Sequence, residues 1–404
     1  MSEENSALLP RPSDDVGAAR WLMFFSVGLF PWLLVNGIFV ELAVFNNILP
    51  EGKELSSQAG AITQIANVGL LYVWLRDRYK NSRWLSLSYT IWALLGLCFV
   101  SCMILCFAWD VTVGGVSVVL LSTTFTGGLV GIIGLTVIYP WVSEFPPGAT
   151  SAVSTGTASS GVIAGVIGLV QGAGAEKQIF SPFVFMLSMT TITIVSAVFF
   201  HILDRERNEK VVKSAPLLER GIQEGEADRE TEKGNLEGWL NALKAAKMPV
   251  AVQFFNCLFN YAYVPGIVPY LLCGNTPTFW LQEANTIANV LGRWASTFFN
   301  RTDRLLPLLA AGMGIVLGMS FFQGVSLQKN TLSQRISSYA GAFLFGLLNG
   351  YIETLVFLVP GRTIRDQRIK EKALQLVIIV GQIGAFTGTF TTAALVSKQI
   401  FHQC

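Results

Sequence analysis

The sequence predicts an all-α membrane protein whose eleven transmembrane helices form two pseudo-symmetric parallel bundles of six and five. Three observations predict it. Hydrophobic residues make up 52% and charged residues 13% of 404, and the mean hydropathy is +0.51, a balance far from that of soluble chains. Apolar stretches close to the roughly 20 residues needed to cross hydrocarbon recur along the chain. A charged run then divides six of these stretches from five. Helices satisfy their own backbone in lipid, so the class is nearly forced.

Residues 1–19 form a polar cytoplasmic tail without the apolar core of a cleaved signal peptide. Glu4 with Leu8 and Leu9 fits an acidic dileucine sorting signal. The predicted spans are 20–46, 56–76, 84–109, 113–141, 150–172, 179–203, 248–272, 279–300, 304–325, 334–360 and 372–397. Residues 20–203 are thus a six-helix bundle and 248–397 a five-helix bundle, with 398–404 an extracellular tail. The intervening 204–247 is rich in Glu, Lys and Arg and reads as a cytoplasmic charged linker, partly disordered.

Orientation follows from basic residues. Arg76, Arg78, Lys80 and Arg83 fall in one connection, Arg362, Arg365, Arg368, Lys370 and Lys372 in another, and Arg301 and Arg304 in a third. All three lie on the same side of an eleven-span chain. The positive-inside rule puts the N-terminus in the cytoplasm and the C-terminus outside. The sequon at Asn300 and Thr302 then faces inward and stays bare.

An internal repeat underlies the two bundles. Ile65, Ala66, Asn67 and Val68 in the second span return as Ile287, Ala288, Asn289 and Val290 in the eighth. Asn36 precedes Asn67 as Asn260 precedes Asn289, and Pro140 and Pro360 close the fourth and tenth spans. Because six spans separate the copies, the repeats run parallel, as in major-facilitator-like carriers, and a central site lies between the halves. Eleven spans with an outside C-terminus also look like equilibrative nucleoside carriers.

Polar groups in the spans mark candidate functional positions, because an amide in hydrocarbon costs kilocalories unless it is hydrogen-bonded. Trp32, Asn36 and Phe39 share one helix face, which Asn256, Asn260 and Tyr263 mirror in the second half. Gln64 with Asn67, and Asn285 with Asn289 and Arg293, occupy two further faces. Such amides also glue helices together; recurrence in both halves favours a cavity. Arg293 and Glu353 lie at similar depth and are expected to pair or to contact one water-filled space. Glu41 and Glu283 read as hydrated groups near outer ends. The small residues of STGTASSG from Ser154, and Gly381, Gly384 and Gly388, read as close helix packing. Cys98, Cys102 and Cys106 read as apolar packing. Six cysteines without a CxxC pair and two histidines leave almost nothing to hold a metal, and no GxxxxGK loop occurs.

Several blocks resemble eukaryotic riboflavin transporters. VNGIFVEL at 35–42, LPEG at 49–52 and ANVGLL at 66–71 are similar to the family's opening, and LVQGAG at 169–174, IAN at 287–289, GYIETL at 350–355 and GQIGAF at 381–386 follow in the family's order. The resemblance covers most spans but not the linker. Phe39, Ala43 and Glu353 stand where animal relatives carry Trp, Pro and a nearby Lys, marking a distant member. The resemblance also implies a disulfide between Cys273 and Cys404, which the expected topology puts outside.

It implies transport of riboflavin. We expect facilitative movement by alternating access, because nothing in the sequence resembles a sodium or proton relay beyond Glu41, Arg293 and Glu353, and we expect no enzyme activity, cofactor, nucleic acid or obligate protein partner. The flavin ring asks for aromatic faces, as Trp32, Phe39, Tyr261, Tyr263 and Tyr351 offer. Its imide edge and hydroxyls ask for paired donors and acceptors, as Asn36, Gln64, Asn67, Asn260, Asn289 and Gln382 offer. Nucleosides or other planar polar solutes are the alternative substrates, and a non-transporting receptor is the alternative class. The expected location is the plasma membrane, with an endolysosomal membrane as the other candidate.

Overall fold

The computed structural model describes residues 16–52, 54–79, 85–172, 178–219, 232–272, 275–299, 305–326, 331–398 and 400. The helices are α1 (Ala18–Ile48), α2 (Glu54–Ile65), α3 (Leu71–Arg78), α4 (Leu87–Ala108), α5 (Val118–Val142), α6 (Pro147–Gln171), α7 (Pro182–Glu219), α8 (Glu232–Ala262), α9 (Asn275–Phe298), α10 (Leu306–Val325), α11 (Leu332–Thr363) and α12 (Gln367–Ser397). The chain is a membrane protein. Among the described residues, eight helices are long and apolar enough to cross a bilayer: α1, α4, α5, α6, α7, α10, α11 and α12.

The other three expected spans depart from that measure for local reasons. Residues 56–76 are not one helix, because a 3₁₀ turn over Ala66–Leu70 separates α2 from α3. Gly69 in that turn lets the chain close on Leu129 and Ile133 of α5. The stretch 248–272 begins inside α8, which kinks at Ala246 ahead of Pro249, and finishes through a π-helical turn at Tyr263–Ile267 and a 3₁₀ turn at Val268–Tyr270. Pro265 and Pro269 have no N–H to offer, so the regular ladder breaks there. The third, α9, carries Gln282, Glu283, Asn285, Asn289 and Arg293, too polar for a plain lipid-facing span. The charged run 204–247 is helical at both ends, since α7 continues to Glu219 and α8 starts at Glu232. Its Glu, Lys, Arg, Leu and Ala are strong helix formers, and propensity prevails over charge. Pro140 and Pro360 lie within the last turns of α5 and α11.

The repeat is visible in the packing. Helix α1 lies against α6 as α8 lies against α12, and the 3₁₀ turn lies against α5 as α9 lies against α11. Ala66 and Ala288 are both fully buried, with half-buried Asn67 and Asn289 beside them. The four matched letters thus present the same side to the same neighbours. Glycines permit these crossings. A Cβ at Gly156 would lie 2.0 Å from the Phe25 carbonyl oxygen, and at Gly384 and Gly388 it would lie 2.3 Å from the carbonyls of Phe254 and Leu258. At Gly350 it would lie 1.9 Å from the Asn289 carbonyl.

Antiparallel succession brings the basic residues together. Arg76 and Arg78 end α3, Arg362 ends α11, Arg365 lies in the connection that follows, and Arg368 and Lys370 fall in the first turn of α12; we call this the basic end and the opposite one the distal end. At the distal end Glu51, in the turn after α1, accepts hydrogen bonds from the Ser117 N–H and from its hydroxyl at 2.8 Å. Burial opposes ionisation there, but the Ser117 bonds outweigh it and hold the Glu51 carboxyl below its ordinary range. This tie between α1 and α5 is therefore complete at neutral pH and is lost as the pH falls through that lowered value.

Gly156→Ala is expected to wedge α6 from α1 and to destabilise the protein by about 1–3 kcal/mol. Gly318→Ala, where a Cβ meets nothing within 4 Å, is expected to leave stability unchanged or slightly raised. Thermal unfolding of the two purified variants checks the pair.

Candidate functional site

The seam between the halves is built by α6, α9 and α11, and its hydrogen bonds cluster towards the basic end. Arg293 on α9 reaches across to α6, donating from Nη1 to the Ser154 carbonyl at 3.2 Å and to the Ser154 hydroxyl at 3.1 Å. Its Nε donates to Asn289 Oδ1 at 3.0 Å. Ser154 also bonds Thr354 of α11 at 2.8 Å. One turn nearer the basic end, the Ser151 hydroxyl meets those of Ser296 at 3.1 Å and Thr297 at 2.8 Å. Tyr139 of α5 and Phe357 of α11 stack across the seam with centroids 3.8 Å apart and planes 8° from parallel. Both rings are buried. At the rim, Arg76 of α3 pairs with Glu371 of α12. Together these contacts close the basic end.

Around this closure sit the amides. Asn36 Nδ2 donates to Ser160 Oγ at 2.8 Å, and Ser160 donates on to the Thr157 carbonyl at 2.7 Å. Asn67 donates to Gln64 Oε1 at 3.2 Å, while its own buried Oδ1 has no partner. In the second half Asn349 donates to Asn260 Oδ1 at 2.9 Å. Asn36 and Asn260 are half-buried, and each is tied to a helix of its own half. Gln382 is half-buried as well.

Arg293 and Glu353 form no ion pair. Glu353 Oε2 instead accepts from Asn256 at 2.8 Å and from Gln253 at 3.0 Å. Both charges act on Tyr139 and on Tyr261, so they share a neighbourhood without touching. Each is held by neutral amides and hydroxyls, which satisfy a charge and leave its sign uncancelled.

The aromatic candidates separate. Trp32 is partly buried, and a Cβ at Gly131 of α5 would meet its ring at 3.0 Å; Phe39 is 40% exposed. Tyr263 has no exposed surface and stacks on Phe345 at 4.2 Å. The Tyr351 hydroxyl donates to the Phe299 carbonyl just beyond α9. That bond ties it to the basic end, just past the last turn of α9. Glu41 is fully buried rather than hydrated. Cys273 and Cys404 lie outside the described residues. Among the described residues no cluster of His, Cys, Asp or Glu could hold a metal.

Sequence reasoning missed Ser151, Ser154, Ser160, Thr354 and Gln253. The serines stand in a run of small residues whose obvious use is close packing, which Gly156 performs. Their hydroxyls were informative only beside an unpaired cation.

Comparison with known proteins bears on this arrangement. Residues 19–403 match the family model described as solute carrier family 52, riboflavin transporter. The chain is 32% identical over 154 residues to the zebrafish (Danio rerio) protein named solute carrier family 52, riboflavin transporter, member 3-A, a stretch that covers 37% of this chain and 34% of that one. It is 33% identical over 151 residues to the human member 3, covering 36% and 32%. The alignments thus span about a third of these relatives' length. Riboflavin transporter rft-1 of Caenorhabditis elegans is 24% identical over 419 residues, covering 93% of this chain and 96% of that one. Among solved structures, the proton:xylose symporter XylE superposes with a TM-score of 0.63 at 12% identity over 94% of this chain and 89% of that one. The fucose:proton symporter FucP gives 0.57 at 12% over 95% and 93%. The fold is that of the major facilitator superfamily.

Because Arg293 and Glu353 have separate partners, exchanging them (Arg293→Glu with Glu353→Arg) is expected to rescue neither single variant. Each single change is expected to cost about 1.5–3 kcal/mol, and the double variant to melt no higher than either. Recovery of the melting temperature in the double variant would show that the charges pair.

Proposed function

We propose, because this chain belongs to solute carrier family 52, the riboflavin transporters, that it carries riboflavin across a membrane by alternating access at the seam between its two halves. The observation that carries this reading is the set of bonds from Ser154 to Arg293 and Thr354. Each joins the first half to the second by one or two hydrogen bonds, weak enough to break and re-form as the halves rock.

Riboflavin is uncharged near neutral pH, and the amides flanking the seam suit it. Asn36, Gln64, Asn67, Asn260, Asn289 and Gln382 supply the donors and acceptors that the imide edge and ribityl hydroxyls require. The unpartnered Oδ1 of Asn67 is ready to accept from an imide N–H or a hydroxyl. Trp32 and Phe39 supply ring surface. Arg293 and Glu353, already satisfied by neutral groups, leave the site without a net demand for a charged ligand.

In this scheme the basic end faces the cytoplasm, and the contacts described above hold the carrier closed on that side. Opening inward requires the Tyr139 and Phe357 rings to part and the bonds of Ser151 and Ser154 to break. We take movement to be down the riboflavin gradient. We place the protein in the plasma membrane, with residues 1–19 and 204–247 inside and 398–404 outside.

Purified protein in liposomes is expected to equilibrate radiolabelled riboflavin, with competition from flavins and none from nucleosides. Asn36→Ala, with normal surface abundance, is expected to lower uptake about tenfold, equivalent to about 1.4 kcal/mol. Binding without equilibration, or equal competition by nucleosides, would refute the reading.

A further inference from the structure

A carboxyl and a carboxamide are sealed into the distal half of the first bundle with nothing bonded to them. Glu41 stands on α1 beyond Asn36, and Gln171 ends α6 beyond Ser160. Both are 0% exposed. The Gln171 amide faces the Glu41 carboxyl, yet all four of their side-chain oxygen and nitrogen atoms lack a hydrogen-bond partner. The surroundings are apolar: one turn before Glu41, Gly37 packs on Phe185 and Met189 of α7, and one turn after it Phe45 stacks on Trp109 at 5.1 Å.

An ionised carboxylate in such a place lacks several kilocalories of solvation that no cation returns. Among the described residues no charged side chain acts on it. The titratable groups on the helices packed against α1 are accounted for elsewhere. Cys98 and its neighbours Cys102 and Cys106 line α4 towards Thr193. Tyr139 stacks on Phe357 at the basic end, His201 lies tilted against Trp92, and Asp204 is held by Ser88 and Trp141. Tyr72 bonds Thr90, and Glu51 is taken by Ser117. Across the seam Glu283 of α9 faces Gly165 of α6.

A protonated Glu41 removes the conflict. Its O–H donates to the Gln171 amide oxygen and its carbonyl accepts from the Gln171 NH₂, so a small rotation closes a two-bond acid–amide pair that uses groups present on both residues. We infer that Glu41 and Gln171 form a proton-binding site that latches α1 to α6 when the proton is bound. The step is simple: one proton from solution converts the carboxylate to the acid, and its loss returns the carboxylate. Asn36 and Ser160, which join the same two helices nearer the seam, are expected to be held in register by the latch. Loss of the proton draws water to Glu41, parts the distal ends of α1 and α6, and disturbs the candidate site. This inference rests on the transport reading for its consequence, not for the proton itself.

The reconstituted full-length protein tests it through three readouts. Infrared spectroscopy at neutral pH is expected to show a carboxylic-acid C=O band that Glu41→Gln abolishes, a result that needs no transport. Thermal stability is expected to fall as the pH is raised for the wild type and to stay level for Glu41→Gln, whose amide mimics the neutral acid; Gln171→Met, lacking the partner, is expected to lose the acid-side gain. Riboflavin uptake by the wild type is expected to fall about tenfold per pH unit once Glu41 ionises, and to be flat for Glu41→Gln. An unchanged band in Glu41→Gln, or a Glu41→Gln profile that follows the wild type, overturns the inference. If Glu41→Gln does not fold, the loss or persistence of the acid-side gain in Gln171→Met decides. If the band and the stability profile behave as expected while riboflavin is not moved, the proton site stands and the transport reading falls.

Discussion

A guanidinium inside a membrane bundle must find hydrogen-bond acceptors, and Arg293 finds its acceptors in both halves of the molecule. One of its nitrogens is fixed by Asn289 on its own helix. Another reaches Ser154 of the opposite half. The cation therefore cannot keep its full solvation unless the two bundles meet, and their meeting at the basic end is the geometry around which the rest is arranged. Ser154, the Thr354 hydroxyl and the stacked rings of Tyr139 and Phe357 lie in the same layer. Each of these contacts is individually modest, so the closure is stable enough to define a state and weak enough to be left.

The two halves solve the same packing problem with the same devices. Glycines on α6 and α12 let α1 and α8 approach to backbone contact, a glycine on α11 does so for α9, and Gly128 of α5 makes room for the Ala66 side chain of the 3₁₀ turn. What differs is where the polar groups go. The first half spends its amides on serine and threonine hydroxyls, as Asn36 does with Ser160. The second gathers Gln253 and Asn256 around Glu353 and Asn349 around Asn260. That asymmetry lets a pseudo-symmetric frame hold an asymmetric solute.

Much of this was legible in the sequence. The recurrence of IANV at 65–68 and 287–290 located two positions that prove equivalent in burial and in neighbours, because four residues within one helical turn fix a rotation as well as a place. The amides were legible because polar groups in apolar spans are costly. Their partners were not, since a serine in a small-residue run carries no sign of what lies across the seam. Sequence spacing put Arg293 and Glu353 at one depth but said nothing of the helix rotations that give each its own amides. Tyr263 stands where α8 gives way to the π turn, a change of helix type that residue spacing does not announce. Glu41 looked hydrated by its position near a helix end. The course of α6 alongside it, ending in Gln171, is what seals it.

The seam assigns a definite task to its basic end: it must open for a solute to pass. Ser151 and Ser296 meet there at 3.1 Å between hydroxyls, so cysteines placed at both positions report directly on that motion. With Ser151→Cys and Ser296→Cys combined and oxidised to a disulfide, riboflavin is expected to bind but not to equilibrate across a liposome membrane, and reductant is expected to restore its movement. Undiminished transport through the oxidised protein would contradict alternating access at this seam.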